Sequence, residues 1–293
     1  SPKFRLPPEP NKSHVENLSD LIHELWLLDS AQLTPGIDYK LNLQGKLGRD
    51  GQDDRAKDRL FTFVKWSRIR QIPSVPEFLQ LLDNYEPIIG VPENMTDEKQ
   101  IEIDSFLTAV IKTSVMRKTH QFLVDRGLSM PDPNQFKEQL FSLWFRQYKR
   151  RRRQDSSAFE HVFVGEQGYN KLLGLHNWIQ FADQEGQKKI DYLGYYETCG
   201  TPTRFIVVSF RLPSGLVKRK TGFWIGSTPA FEMALYTAIF LATGQLPQIV
   251  RFELCEAIVQ CHVLQKRKNL ATCYPRLIGN EIKFSGRKED GVD

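Results

Sequence analysis

Two histidines and a basic strand carry the chemistry available to this chain. His161 lies in Phe159-Glu160-His161-Val162-Phe163-Val164-Gly165-Glu166, and His176 in Gly174-Leu175-His176-Asn177-Trp178. Lys218-Arg219-Lys220 precedes Phe223-Trp224-Ile225-Gly226. An imidazole titrates near neutrality, so of two brought together one takes a proton while the other gives one. A lysine adds a fixed positive charge. Cleavage of RNA by its own 2′-hydroxyl needs such a set: a base for the 2′-OH, an acid for the departing 5′-oxygen, and a cation facing the charge that builds on the phosphoryl oxygens. The substrate then supplies the nucleophile, so neither a protein nucleophile nor a metal-bound hydroxide is required, and DNA cannot react. The other histidines, His14, His23, His120 and His262, match no motif and read as structural or surface residues.

Rival chemistries lack their signatures. Cys199, Cys255, Cys261 and Cys273 show neither C-x-x-C nor the Cys/His spacing of a zinc site, and their disulfide state stays open. There is no G-x-x-x-x-G-K-[ST] phosphate loop. Ser227-Thr228 could bind phosphate at a helix start, but capping explains them equally well. The net charge of +5 tolerates a polyanionic partner without demanding one. The longest nearly apolar run, Ala234 to Ala242, is too short to span a bilayer, so a soluble chain with no membrane partner is expected.

The elements that must position these groups change character near the middle of the 293 residues. Residues 1–150 read as a mainly helical lobe. Ser13 with Glu16 forms a capping box ahead of Val15, Leu18, Ile22, Leu25 and Trp26. Ser74 and Pro76 open a second helix, Thr96 a long third one to Gly127, and Asp132-Pro133 a fourth that runs into Lys149-Arg150-Arg151-Arg152-Arg153. That basic run complements the negative end of a helix dipole. Residues 151–293 read as a β-rich lobe with strands at 158–164, 190–196, 204–211, 216–224, 249–254, 258–264 and 270–277. One helix, Pro229 to about Thr243, interrupts them. The fold class is α+β, helices first and antiparallel sheet second. Ser1-Pro2-Lys3-Phe4 lacks an initiator Met, so the chain reads as a trimmed product. Sequons at Asn11, Asn17 and Asn94 favour secretion.

Taken in order, Glu160-His161-Val162-Phe163-Val164-Gly165-Glu166, Gly174-Leu175-His176-Asn177-Trp178, Phe223-Trp224-Ile225-Gly226 with Pro229-Ala230-Phe231-Glu232-Met233-Ala234-Leu235-Tyr236-Thr237, and Ala271-Thr272-Cys273-Tyr274-Pro275 closely resemble the EndoU family of uridylate-specific endoribonucleases. Glu24-Leu25-Trp26, Pro35-Gly36-Ile37-Asp38-Tyr39 and Leu81-Leu82-Asp83-Asn84-Tyr85-Glu86 extend the likeness to the helical lobe of its animal members. The resemblance implies cleavage of single-stranded RNA at uridines, leaving 2′,3′-cyclic phosphate and 5′-hydroxyl ends. It also implies stimulation by Mn²⁺ or Ca²⁺, with ligands unknown, and we expect a monomer. A noncatalytic RNA-binding protein on the same fold is the alternative, against which both retained histidines argue. A hydrolase of another phosphodiester would attack substrates lacking a 2′-OH.

By motif match His176 is the general base and His161 the general acid. The family lysine precedes Phe-x-Ile-Gly, and 226 − 218 = 8 residues back from Gly226 stands Lys218, with Lys220 its competitor. On a regular strand the two share a face, which leaves the choice to spacing. Gly222 occupies a position where the family often has serine, Thr221 is the hydroxyl offered instead, and the resemblance makes both substrate-binding positions. Thr272 and Tyr274, at i and i+2 of a strand, are assigned uridine recognition. Glu160 and Glu166 match acidic positions linked to activity. Glu160, next to His161 on a strand, is expected to point to the opposite face in a supporting or ion-binding role. Asn177 and Trp178 are expected to support the site.

Overall fold

The computed structural model describes residues 11–30, 32–48, 53–149, 154–252, 254–264 and 269–277. Ser1 to Phe4 and Arg150 to Arg153 lie outside the described residues.

Helix signals in the first half resolve into shorter pieces than the apolar spacing predicts. α1 (Lys12–Val15) is capped by Asn11, whose side chain accepts from His14 N, rather than by Ser13. α2 (Leu18–Ser30) starts afresh after Asn17, which has φ 56°. A ribbon of β1 (Tyr39–Leu41) and β2 (Phe61–Val64) precedes α3 (Trp66–Ile69) and α4 (Val75–Leu81). Ser74 does stand at the start of α4, but in a left-handed conformation and without a side-chain cap bond. The expected long helix is two, α5 (Asp97–Ile111) and α6 (Ser114–Asp125). Thr113 makes the break: its hydroxyl donates to Val110 O and accepts from Met116 N, closing one helix and capping the next. α7 (Pro133–Trp144) begins at its Asp132 cap as expected but stops at Trp144. Lys149 falls instead on β3 (Tyr148–Lys149), paired with β4 (Gln154–Ser156), too far along to complement a helix dipole.

Residues 158–164, read as a strand, instead form a helical turn with a π-helix over Glu160–Val164. Their alternation misleads because the segment is buried on more than one side: Phe159 and Phe163 both meet Phe78 of α4, and Phe159 stacks on Phe145 at 4.7 Å. Next come β5 (Glu166–Gln167), β6 (Leu172–Leu173) and α8 (Trp178–Gly186), a helix the strand reading overlooks. β7 (Asp191–Cys199), β8 (Phe205–Arg211) and β9 (Val217–Trp224) form one antiparallel sheet. After α9 (Pro229–Thr243), a second sheet contains β10 (Gln248–Phe252), β11 (Cys255–Leu264) and β12 (Asn269–Leu277).

Every residue of α9 is buried, as a helix apolar on nearly every side demands, and its one ionisable carboxyl, Glu232, accepts from Ser227 Oγ and Asn177 Nδ2. Trp26 of α2 stacks on Phe252 at 4.6 Å and meets Phe231 edge-on, and Trp144 Nε1 donates to Thr237 Oγ1. One core therefore runs from the N-terminal helices into both sheets. Disulfides join Cys199 to Cys255 and Cys261 to Cys273, the second across a paired position of β11 and β12. Among the described residues no helix is long and apolar enough to cross a membrane.

Candidate active site

The π-turn leaves backbone carbonyls for outside partners, and the segment before α8 takes them. Leu175 N donates to His161 O at 3.0 Å and His176 N to Val162 O at 2.7 Å. Gly174 permits this contact. It has φ +65°, and a Cβ there would lie 1.7 Å from His161 O. Immediately beyond, Asn177 caps α8 by accepting from Gln180 N, while its Nδ2 donates to Glu232 Oε1 and Trp178 Nε1 donates to Ser227 O. His161 and His176 are thus held by a π-turn and a helix entrance, His161 not by the strand that its alternation suggested. Their ring centroids are 6.3 Å apart, and the residues remain 8% and 7% exposed.

The two imidazoles have unlike neighbours. His161 Nδ1 is 2.5 Å from Oε2 of the buried Glu166. His176 Nδ1 is 3.0 Å from Gly222 O, which can only accept. Thr221 Oγ1, 3.3 Å from the same nitrogen, commits its proton to Leu175 O at 2.6 Å and so turns a lone pair to the ring. Both contacts place the proton on Nδ1 and leave the Nε2 lone pair available. Burial holds His176 well below the ordinary imidazole range; the charges of Lys218 and His161 push the same way and the Gly222 carbonyl opposes them.

A bulge separates the competing lysines. Phe210 pairs with Lys218 and Val208 with Thr221, so Arg219 and Lys220 together oppose Ser209. Alternation is reset, and Lys218 shares a face with Thr221, the residue against His176. Lys220 instead lies 4.8 Å over the Tyr196 ring. Gly222 enters through its carbonyl alone, since a Cβ there would meet Pro275 O at 2.9 Å. This close approach brings β9 beside β12.

On β12, Tyr274 lies 5.1 Å from the His176 ring at an interplanar angle of 18°, and the Thr272 hydroxyl is buried with no hydrogen-bond partner among the described residues. His262, read from sequence as unrelated to any motif, is paired with Thr272 and stacks beside Tyr274. Only strand register reveals it. Glu160 departs from its expected place because no strand exists there. Its carboxyl is buried, and its charge helps raise the Tyr85 phenol after burial itself. Glu166 is engaged by His161, and among the described residues no group of three or more His, Cys, Asp or Glu is gathered to hold the Mn²⁺ or Ca²⁺ the resemblance implies.

Comparison with known proteins gives concordant matches. The family model described as Endoribonuclease XendoU matches residues 17–275. "Uridylate-specific endoribonuclease C" of Danio rerio is 37% identical, over 94% of this chain and 93% of its own. "Poly(U)-specific endoribonuclease-B" of Xenopus laevis is 38% identical over 92% and 97%. A solved structure titled "The structure of XendoU: a splicing independent snoRNA processing endoribonuclease" superposes with a TM-score of 0.76 at 36% identity, covering 93% of this chain and 99% of that one.

Proposed function

The chain belongs to the XendoU family of endoribonucleases, and on that premise we propose that it cuts single-stranded RNA at uridines with His176 as base, His161 as acid and Lys218 as the facing cation. Burial favours the neutral form of His176, and its Nε2 takes the 2′-hydroxyl proton. The 2′-oxygen then bonds to phosphorus as the bond from phosphorus to the 5′-oxygen breaks. His161 gives that oxygen a proton, and the Glu166 carboxylate behind its Nδ1 stabilises the imidazolium beforehand. One proton enters the protein and one leaves it, giving 2′,3′-cyclic phosphate and 5′-hydroxyl ends. The carrying observation is two imidazoles 6.3 Å apart, one backed by a carboxylate and the other by a carbonyl under a lysine's charge.

Thr221 and Gly222 are assigned to holding His176 rather than to contacting RNA, and Asn177 and Trp178 to fixing the helix entrance. The uncommitted Thr272 hydroxyl and the Tyr274 ring take the uridine. Relatives named for uridylate or poly(U) specificity support that choice. A stimulating Mn²⁺ or Ca²⁺ belongs to this reading as an ion that organises RNA, and no proton transfer is derived through it. Pairing of all four cysteines suits an oxidising compartment, hence secretion.

The test is mass spectrometry of fragments from an oligonucleotide with a single uridine, with and without Mn²⁺ or Ca²⁺. Cyclic phosphate should appear at the uridine alone, and a 2′-deoxyuridine there should stop cutting. Continued cutting at the deoxy position would exclude the internal nucleophile. Thr272→Ala should erode base preference before rate; unchanged discrimination would move the pocket elsewhere.

A further inference from the structure

The β11–β12 ladder sets His262 opposite Thr272, and Gln260 opposite Tyr274, so these four residues share one face. Gln260 is turned away: its Nε2 donates to Gln245 O and Cys261 O. His262 is therefore the β11 side chain that meets the uridine-facing residues. Its Nε2 is 3.3 Å from Tyr274 Oη, and its ring lies 5.8 Å from the Tyr274 ring at 19°. Tyr274 in turn stacks on His176, making three near-parallel rings. The supports beneath are firm. Cys261 and Cys273, the pair between those two ladder positions, are covalently joined, and the bulge that skips Ala271 is held by Tyr148 Oη donating to Ala271 O. A backbone this constrained leaves the two side-chain torsions of Tyr274 as its main freedom, and the contact with His262 restrains them.

We infer that His262 is a positioning residue for the nucleoside wall, holding the Tyr274 ring against His176 so that the uridine meets a preformed surface. This rests on the reading that Tyr274 lines the nucleoside site. Without the His262 nitrogen the ring loses one restraint, and the cost of ordering it more fully at each binding event falls on substrate affinity and base choice before proton transfer.

The test is a double-mutant cycle of His262→Phe and Tyr274→Phe, read as kcat, KM and uridine-over-cytidine preference on single-site oligonucleotides at a temperature where all forms are folded. Each single variant should lower kcat/KM by about 3- to 10-fold, mostly through KM, as expected for loss of one hydrogen bond. The double variant should be no worse than Tyr274→Phe. His262→Gln, which restores a hydrogen-bonding end, should recover most of the loss. Wild-type KM and preference in His262→Phe, or losses that add in the double variant, would overturn the inference. Tyr274→Ala separates it from its premise: a severe Tyr274→Ala defect beside a silent His262→Phe defeats only the role of His262, whereas wild-type KM and preference in Tyr274→Ala defeat the nucleoside-wall reading itself.

Discussion

Gly174→Ala should damage both stability and rate, because this glycine permits the contact that places both histidines. The new Cβ would stand 1.7 Å from His161 O, and even the tightest tolerated contact, 3.0 Å, requires a separation of about 3.0 − 1.7 = 1.3 Å. That movement breaks the bonds from Leu175 N to His161 O and from His176 N to Val162 O. Losing each costs about 1 kcal/mol, and the left-handed backbone adds about 1 kcal/mol for any residue with a Cβ. The sum, roughly 3 kcal/mol, set against an unfolding entropy of about 2.1 cal/mol/K for each of the 293 residues, corresponds to a fall of about 5 °C in unfolding temperature. A misplacement of about 1 Å between acid and base costs on the order of 100-fold in rate. Calorimetry and single-turnover cleavage of a single-uridine RNA, run where the variant is fully folded, measure the two effects separately. Gly215→Ala is the control: its φ is +87°, but a Cβ there meets nothing within 4 Å, so it should incur the backbone cost alone and cleave normally. Gly174→Ala cleaving within about twofold of wild type would refute the reasoning that this zipper sets the geometry.

Lys218→Gln should lower kcat/KM by about 10²- to 10³-fold, while Lys220→Gln, whose parent lies over Tyr196, should not. Because the Lys218 charge disfavours protonated His176, its removal should also move the acid limb of the kcat/KM profile to higher pH; an unmoved limb would separate the two groups. His176→Ala should reduce turnover by about 10²- to 10⁴-fold and leave RNA affinity nearly unchanged, as filter binding would report. For stability, burial raises the Glu232 carboxyl from 4.5 to about 8 and Asp29 from 3.8 to about 7. The folded state therefore holds more protons, and these groups' contribution is full below the unfolded values and lost as pH rises through the folded ones. Glu232→Gln keeps an oxygen for Ser227 and Asn177, so its unfolding temperature should fall less between pH 5 and 8 than that of wild type; parallel curves would contradict the buried neutral carboxyl.

Local signals revealed much of the β-rich half. Alternation marked β7 to β9 and most of β11 and β12, while α9, buried all round and so without a face of its own, was marked by Ser227-Thr228 and Pro229 at its start. The same logic failed at 158–164, where burial on more than one side erased the difference between periods of two and 3.6. It also passed over α8, although Asn177 caps it and Trp178, Phe181, Ala182 and Glu185 are buried at helical spacing. Thr113 broke one predicted helix in two by a cap that a long apolar pattern conceals.

The amino-acid order alone determined which residue types were available for chemistry: His161 and His176 stand in recognisable motifs, and Lys218 precedes its own, since those marks depend on neighbours along the chain. Only the tertiary structure decided how they meet. The Gly174 zipper, the bulge opposite Ser209 that parts Lys218 from Lys220, the Gly222 carbonyl that fixes a tautomer, and the arrival of His262 beside Tyr274 all arise from register between distant segments. Register depends on long-range packing and hydrogen bonding, and a one-residue shift in it turns a side chain to the other face.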